Sequence, residues 1–515
     1  MRALSPEHMA CGLRAGASLM PHPAANASGV VAGMTLALAV FAAAVPAQSV
    51  RVSGVTSMQT VDLRPLVDDS VPVTGVIGDG TFRALPDGRL VRCIEGEAFC
   101  RFRSSGDRVT ATPLAQDLRA SAWGLGQGIS LHAHVRMRDA LGSDPVQWPR
   151  ADDAFDALEA YLQLDRGSGR ARLGRQWAVS GLGVYNYDGA SVQVRRGRAR
   201  LEAFAGRSLV AGLNDPVADG ALGTIDDLPP DEHGRLYGAS LAFAQPGRGA
   251  ASATWQRVIR EDAAALYSDR AALDASTRLL GLSLDASLAW DLSLADVNEA
   301  RLRVGRQLPW RLAGTLEARR HRPFFESWTI WGVFSPVAFD ELRAHLGWRS
   351  ARGRFQVDLR GARREYEETG EGFSATPLRG DGWRAGAGAA WTPRTHWLVY
   401  ADYDIDIGFG ASRSDVAGGA RWMPDENRWL GVALSGFQNI YEFRVGTGRV
   451  TGLLVEGASR IGTDVRVVAD GAIYAHRLTG GAPATDWSQR RLSLRLEWTV
   501  GRDPGLPAGR EGADR

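Results

Sequence analysis

The feature that most restricts the fold is a two-residue period that recurs to the end of the chain. From Ile129 to Arg138 the odd positions hold Ile129, Leu131, Ala133, Val135 and Met137, and the even ones Ser130, His132, His134, Arg136 and Arg138. From Arg491 to Val500 the apolar set is Leu492, Leu494, Leu496, Trp498 and Val500, with Arg491, Ser493, Arg495, Glu497 and Thr499 between them. A β-strand sends successive side chains to opposite faces, so each stretch is a strand between an apolar and a polar environment. The pattern returns over Leu158 to Leu164, Arg198 to Ala205, Tyr237 to Phe243, Leu342 to Trp348, Arg354 to Arg360, Trp383 to Trp391, Trp397 to Asp406 and Val465 to Ile473. Strands of about ten residues suit a tilted bilayer crossing. A soluble sandwich shows the same period in shorter strands, so the period alone does not separate the two.

Connection length does. Short turns at Arg166 to Gly169, Arg196-Gly197, Gln245 to Gly249, Ser350 to Gly353, Pro393 to Thr395, Pro424 to Asn427 and Ile461 to Thr463 trade places with long stretches. The long stretches are Asp139 to Ala154, Val179 to Tyr187, Arg207 to Gly234, Glu261 to Asp274, His321 to Val337, Glu365 to Gly380 and Arg477 to Trp487. Turns at one end and loops at the other are the habit of outer-membrane barrels. Ala295 to Glu299 breaks the rule, being short where parity asks for a long loop. The expected fold is therefore all-β, a transmembrane antiparallel up-and-down barrel of about 18–20 strands. Trp383 and Trp391 fall on one face of a strand with Ala385, Ala387 and Ala389 between them, about 26 Å apart along it. That separation approaches the height of an apolar band with aromatic girdles, although a core strand of a soluble sheet also carries end aromatics. Mean hydropathy is -0.18, which excludes a bundle of many membrane helices but not a barrel, whose alternating faces average to moderate polarity.

The N-terminus reads as an export signal. No charge separates Arg14 from Arg51, and Gly29 to Ala47 is apolar or small throughout. Small residues at Val45 and Ala47 suit cleavage after Ala47; the rival is an uncleaved anchor helix of about 19 residues. This divides the chain into a signal peptide (1–47), a small periplasmic β-rich segment (48–113), a barrel (114–501) and a hydrophilic tail (502–515). Cys93 and Cys100 are the cysteines of the mature chain, and a turn at Gly96 between apolar flanks brings them face to face as a disulfide hairpin in an oxidising compartment. The alternative is two free buried thiols. No further Cys or His stands near enough in sequence to suggest a metal site.

Arg172-Leu173-Gly174-Arg175-Gln176, followed by Tyr187-Asp188-Gly189-Ala190, resembles porin-like outer-membrane barrels of the alginate-export type, and Arg303-Val304-Gly305-Arg306-Gln307 repeats the first motif. The resemblance spans some sixty residues. It implies a monomeric barrel with an arginine-rich lumen that passes anionic sugars. The last strands of such barrels end in an aromatic residue read by the insertion machinery, whereas here Trp498 is followed by Thr499, Val500 and a hydrophilic tail.

Opposite the apolar face lie the candidate lumen residues: His132, His134, Arg136, Arg138, Arg170, Arg172, Arg198, Arg200, Arg343, Arg354, Arg360, Arg491 and Arg495. The chain contains no lysine, so apart from histidine every basic side chain is a permanently charged planar fork, and rings of arginine select anions. Carboxylates interrupt the set at Glu159, Asp165, Glu202, Asp358 and Glu497, and Asp402, Asp404 and Asp406 form a ladder. Opposite charges that merely pair across strands are the competing account, and the ladder could instead hold a calcium ion. A formal charge of +2 argues against a nucleic-acid partner. Outer-membrane lipid, the insertion machinery and a small anionic or saccharide solute are the expected partners, with no cofactor. Gly-x-Ser-x-Gly, His-Glu-x-x-His and Walker patterns are absent, so no enzyme is expected. The alternatives to a pore are a non-conducting polysaccharide scaffold or surface anchor, and a barrel hydrolase built from scattered Ser, His and Asp.

Overall fold

The computed structural model describes residues 49–64, 66–86, 90–141, 155–209, 234–260, 266–322, 338–367, 380–408, 412–442, 446–479 and 486–502. The stretch expected as a signal peptide, which contains the third cysteine, Cys11, lies outside them, as do the tail beyond 502 and most of the long connections. The described chain is built of antiparallel strands and two single-turn 3-10 segments, Val73–Gly75 and Pro309–Arg311. Twenty-two strands form one sheet that closes on itself. Its closure is made by Ser49–Leu63, which pairs with Pro113–Gly126 on one side and with the last strand, Trp487–Gly501, on the other. A closed ring leaves no edge of unpaired backbone groups.

Two features differ from the expectation. Ser49–Leu63 and Pro113–Gly126 are both wall strands, so the wall begins at residue 49 rather than 114 and has 22 strands instead of 18–20. The reason is chemical. Register places Thr56 opposite Leu496, Met58 opposite Leu494 and Thr60 opposite Leu492, so threonines occupy the apolar face, while Val55 and Val61 stand on the polar one. Alternation is blurred there. The second difference is in two stretches expected as long loops: the strand Leu266–Leu279 begins within Glu261 to Asp274, and Val179 to Tyr187 is a tight hairpin. Gly169–Ser180 and Gly183–Arg196 instead pair to their ends around Gly181 and Leu182. Asp291 and Asp296 likewise bound a short connection, as the sequence suggested for that region.

A separate four-stranded sheet lies within the connection between the first two wall strands: Leu66–Pro72, Phe99–Ser105, Leu90–Arg92 and Phe82–Ala84, in that spatial order. The Cys93–Cys100 disulfide forms as expected and joins a core of Leu85, Val91, Val71, Val73, Val76 and Phe102. This small sheet stands at the barrel end that also carries the connections from Ala140 to Phe155, Ser208 to Gly234 and His321 to Phe339, opposite the tight turns. It is therefore an insertion between wall strands and not a segment that precedes the wall.

Candidate functional site

Register carries one apolar face around the ring. Leu201 lies opposite Leu241, Leu241 opposite Ala253, and Ala253 opposite Leu273. These leucines are exposed, as are Leu173 at 65% and Ile473 at 57%. Trp383, Trp391, Trp397 and Trp422 are exposed as well. The other face is concave. Arg360, on Phe355–Tyr366, hydrogen-bonds Asp402 and Asp404 on Trp397–Ile407, passing over the intervening strand Asp381–Trp391 at Gly386 and Gly388. A Cβ at Gly388 would stand 2.5 Å from Asp358 Oδ2 and 2.6 Å from Asp402 Oδ2, so only glycine leaves the crossing open. Arg421 reaches Glu456 in the same way across Arg428–Glu442, at 2.8 Å. Side chains on alternate strands meet where a curved sheet turns its hollow side, so the polar face is the inside of the barrel.

Apart from Arg198 and Arg354, the sequence-derived candidates fall on this polar register, and most of them have partners. Asp117 accepts from both His134 Nε2 at 3.1 Å and Arg136 Nε at 3.0 Å. His132 stands between Ser121 and Ser130 and stacks on Tyr161. Arg170 donates to Asp165 at 2.7 Å, and Arg172 to Gln163 at 2.9 Å with its guanidinium over the Tyr161 ring. Arg491 and Arg495 face Asp470 and Glu497. Arg138 also has a partner. Arg198 and Arg354 belong to turns, where they add no charge to the wall itself. Arg200 forms no ion pair among the described residues, and neither do Arg119, Arg301 or Arg303.

Charge pairing is densest on the wall from Leu312 to Ile407. Glu341 is buried and clamped by Arg343 and Arg364; Arg343 also faces Glu317 at 3.7 Å. Arg384 donates to Asp406 at 2.9 Å, and Arg360 holds Asp358 at 2.9 Å besides Asp402 and Asp404. The aspartate ladder is therefore engaged by arginines. Nothing in the local sequence reveals this, because the meeting depends on glycines in a strand between the partners. The Arg360 and Arg384 pairs are partly open to solvent, so they cancel charge more than they add stability, whereas the Glu341 carboxylate is enclosed.

The opposite wall is filled differently. Tyr185, Tyr187, Phe204, Leu236 and Val258 share the inward register with Ala272 and Ala289, and all are buried together with Leu182. Arg270, 5% exposed, sends Nη1 to Leu182 O at 3.2 Å and Tyr185 Oη at 3.1 Å, across from its own strand Leu266–Leu279. Sequence reading missed this group. Its signal was faint: aromatic residues on the polar register of Gly183–Arg196.

No protein-family model and no curated protein matches the chain. Similar solved structures include Acinetobacter baumannii OccAB2, 9% identical over 88% of this chain and 98% of that one, with a TM-score of 0.39. A BenF-like porin from Pseudomonas fluorescens Pf-5 is 7% identical over 88% and 99%, with a TM-score of 0.39. The translocation pore of the P pilus usher PapC is 10% identical over 88% and 100%, with a TM-score of 0.42.

Proposed function

We propose that this chain is a pore of the outer membrane that passes small anionic or sugar-like solutes. The observation that supports this reading most is the closed ring of 22 strands with exposed leucines on its convex face and charged, hydroxyl and amide side chains on its concave face. Lipid solvates the first face and water the second, and a closed sheet is one of the two backbone arrangements that satisfy every hydrogen bond in a bilayer. Export through a cleaved signal and assembly by the outer-membrane insertion machinery follow from that location. The small disulfide sheet then faces the cell exterior, with the long connections.

Selectivity rests on the arginines that lack a carboxylate partner. A paired arginine presents little net field at physiological salt, whereas Arg119, Arg200 and Arg303 keep theirs. The paired wall offers alternating donors and acceptors, which suits hydroxyl-rich solutes. Planar-bilayer recording in a salt gradient tests the reading. Stable channels with a reversal potential favouring anions are expected, and replacing Arg119, Arg200 and Arg303 by Gln moves it toward zero. The same change at the paired Arg136 and Arg495 leaves it nearly in place. Correctly folded protein that never conducts would favour the scaffold or anchor instead.

A further inference from the structure

The hairpin tip at Gly181-Leu182 is not at the rim. Leu182 is 3% exposed and packs with Tyr185, Tyr187, Phe204, Leu236 and Val258, whose strands run from Gly183 to Arg260. Arg270 belongs to Leu266–Leu279, four strands along the ring from Gly183–Arg196. Neighbouring strands lie about 4.8 Å apart, so the path along the wall is about 19 Å. A direct hydrogen bond from Arg270 to Leu182 and Tyr185 requires the hairpin to leave the wall and cross the hollow of the barrel. The position of Gly181 agrees: a Cβ there would lie 3.0 Å from Asp274 Cγ, on that same distant strand.

We propose that the Gly181-Leu182 hairpin is the constriction of the lumen and that Arg270 is its latch. This rests on the pore reading above. An arginine suits the task because one planar guanidinium binds a backbone carbonyl and a phenol hydroxyl together, fixing the tip in position and in angle. Tyr187 and Phe204, with rings 5.7 Å apart, supply the apolar bed on which the tip rests. The remaining passage then lies between this tip and the arginine-carboxylate wall across the barrel. A solute entering it meets an apolar tip on one side and charged side chains on the other.

Two measurements on the full-length protein test the proposal. In the variant Gly181→Cys with Asp274→Cys, oxidation of folded protein should form a disulfide between the two introduced thiols, read by mass after proteolysis; failure to form one would remove the hairpin from the lumen. Cys93 and Cys100 are already paired and do not compete, and the remaining cysteine is removed by Cys11→Ser. Separately, Arg270→Gln and a hairpin shortened by Gly181 and Leu182 should raise single-channel conductance severalfold, and the oxidised double-cysteine channel should stay at the wild-type level. Unchanged conductance in both variants, with open channels, would overturn the constriction. If the disulfide forms but no variant conducts, the hairpin is docked as described and it is the pore that fails.

Discussion

The two halves of the inner wall solve one problem with opposite chemistry. Both carry the same alternation, and both must fill the concave face of a closed sheet. From Gly183 to Asp291 a hairpin covers that face, and buried aromatic and aliphatic side chains share the inward positions with Thr254, Gln256, Ser268 and Arg270. From Leu312 to Ile407 nothing among the described residues covers it, and arginines and carboxylates interlock over Gly386 and Gly388. The difference shows that the density of inward ion pairs follows local water access and not the barrel as a whole. Removing a side chain from the covered half should cost packing, whereas on the open half it should mainly change charge.

The largest effect is therefore expected on the covered half. Tyr187→Ala removes a fully buried ring and should lower stability by about 3–5 kcal/mol. Urea-dependent unfolding from lipid vesicles measures it; a loss comparable to that of an open-half variant would erase the distinction. Next comes Glu341→Gln, which strands Arg343 and Arg364 against a buried neutral group. About 1–2 kcal/mol is expected, discounted because Arg343 is more than a third exposed. A change of sign is expected at Gln256. It is 1% exposed on the covered half, and neither atom of its amide has a hydrogen-bond partner among the described residues. Gln256→Met should stabilise by about 1 kcal/mol, since it relieves the desolvated amide at nearly constant volume. The smallest stability change belongs to Arg360→Gln, but that variant leaves Asp358, Asp402 and Asp404 without their shared cation. Its reversal potential should move toward cation preference, and no movement would mean that the open half does not line the ion path.

Much of this contrast could be read from the sequence only in part. Ile129 to Arg138 and Arg491 to Val500 announced their strands because each face there is chemically uniform. Ser49–Leu63 did not, with Val55 and Val61 turned inward and Thr56 and Thr60 outward. Individual lumen candidates such as Arg360 and Arg495 were recognisable from parity. Their partners were not, because Asp402 lies 42 positions from Arg360, and the glycines that let them meet belong to a third strand. The Gly181 turn misled for a related reason. Tight turns and loops share glycine and asparagine, and what distinguishes an inward hairpin is its contact with Arg270, which local sequence does not encode.

The closure made by Ser49–Leu63 also bears on the order of events during folding. Every other wall strand after Pro113–Gly126 pairs with neighbours close in the chain, but Ser53 pairs with Thr499. That contact has nearly the greatest sequence separation the molecule allows, so its loop entropy must be met last. Until the final strand arrives, the growing sheet exposes two unpaired margins, each able to capture a strand from another chain. The seam at Trp498, whose indole lies against Gly54, is thus where a nascent barrel is finally sealed, and where delay would favour aggregation over completion.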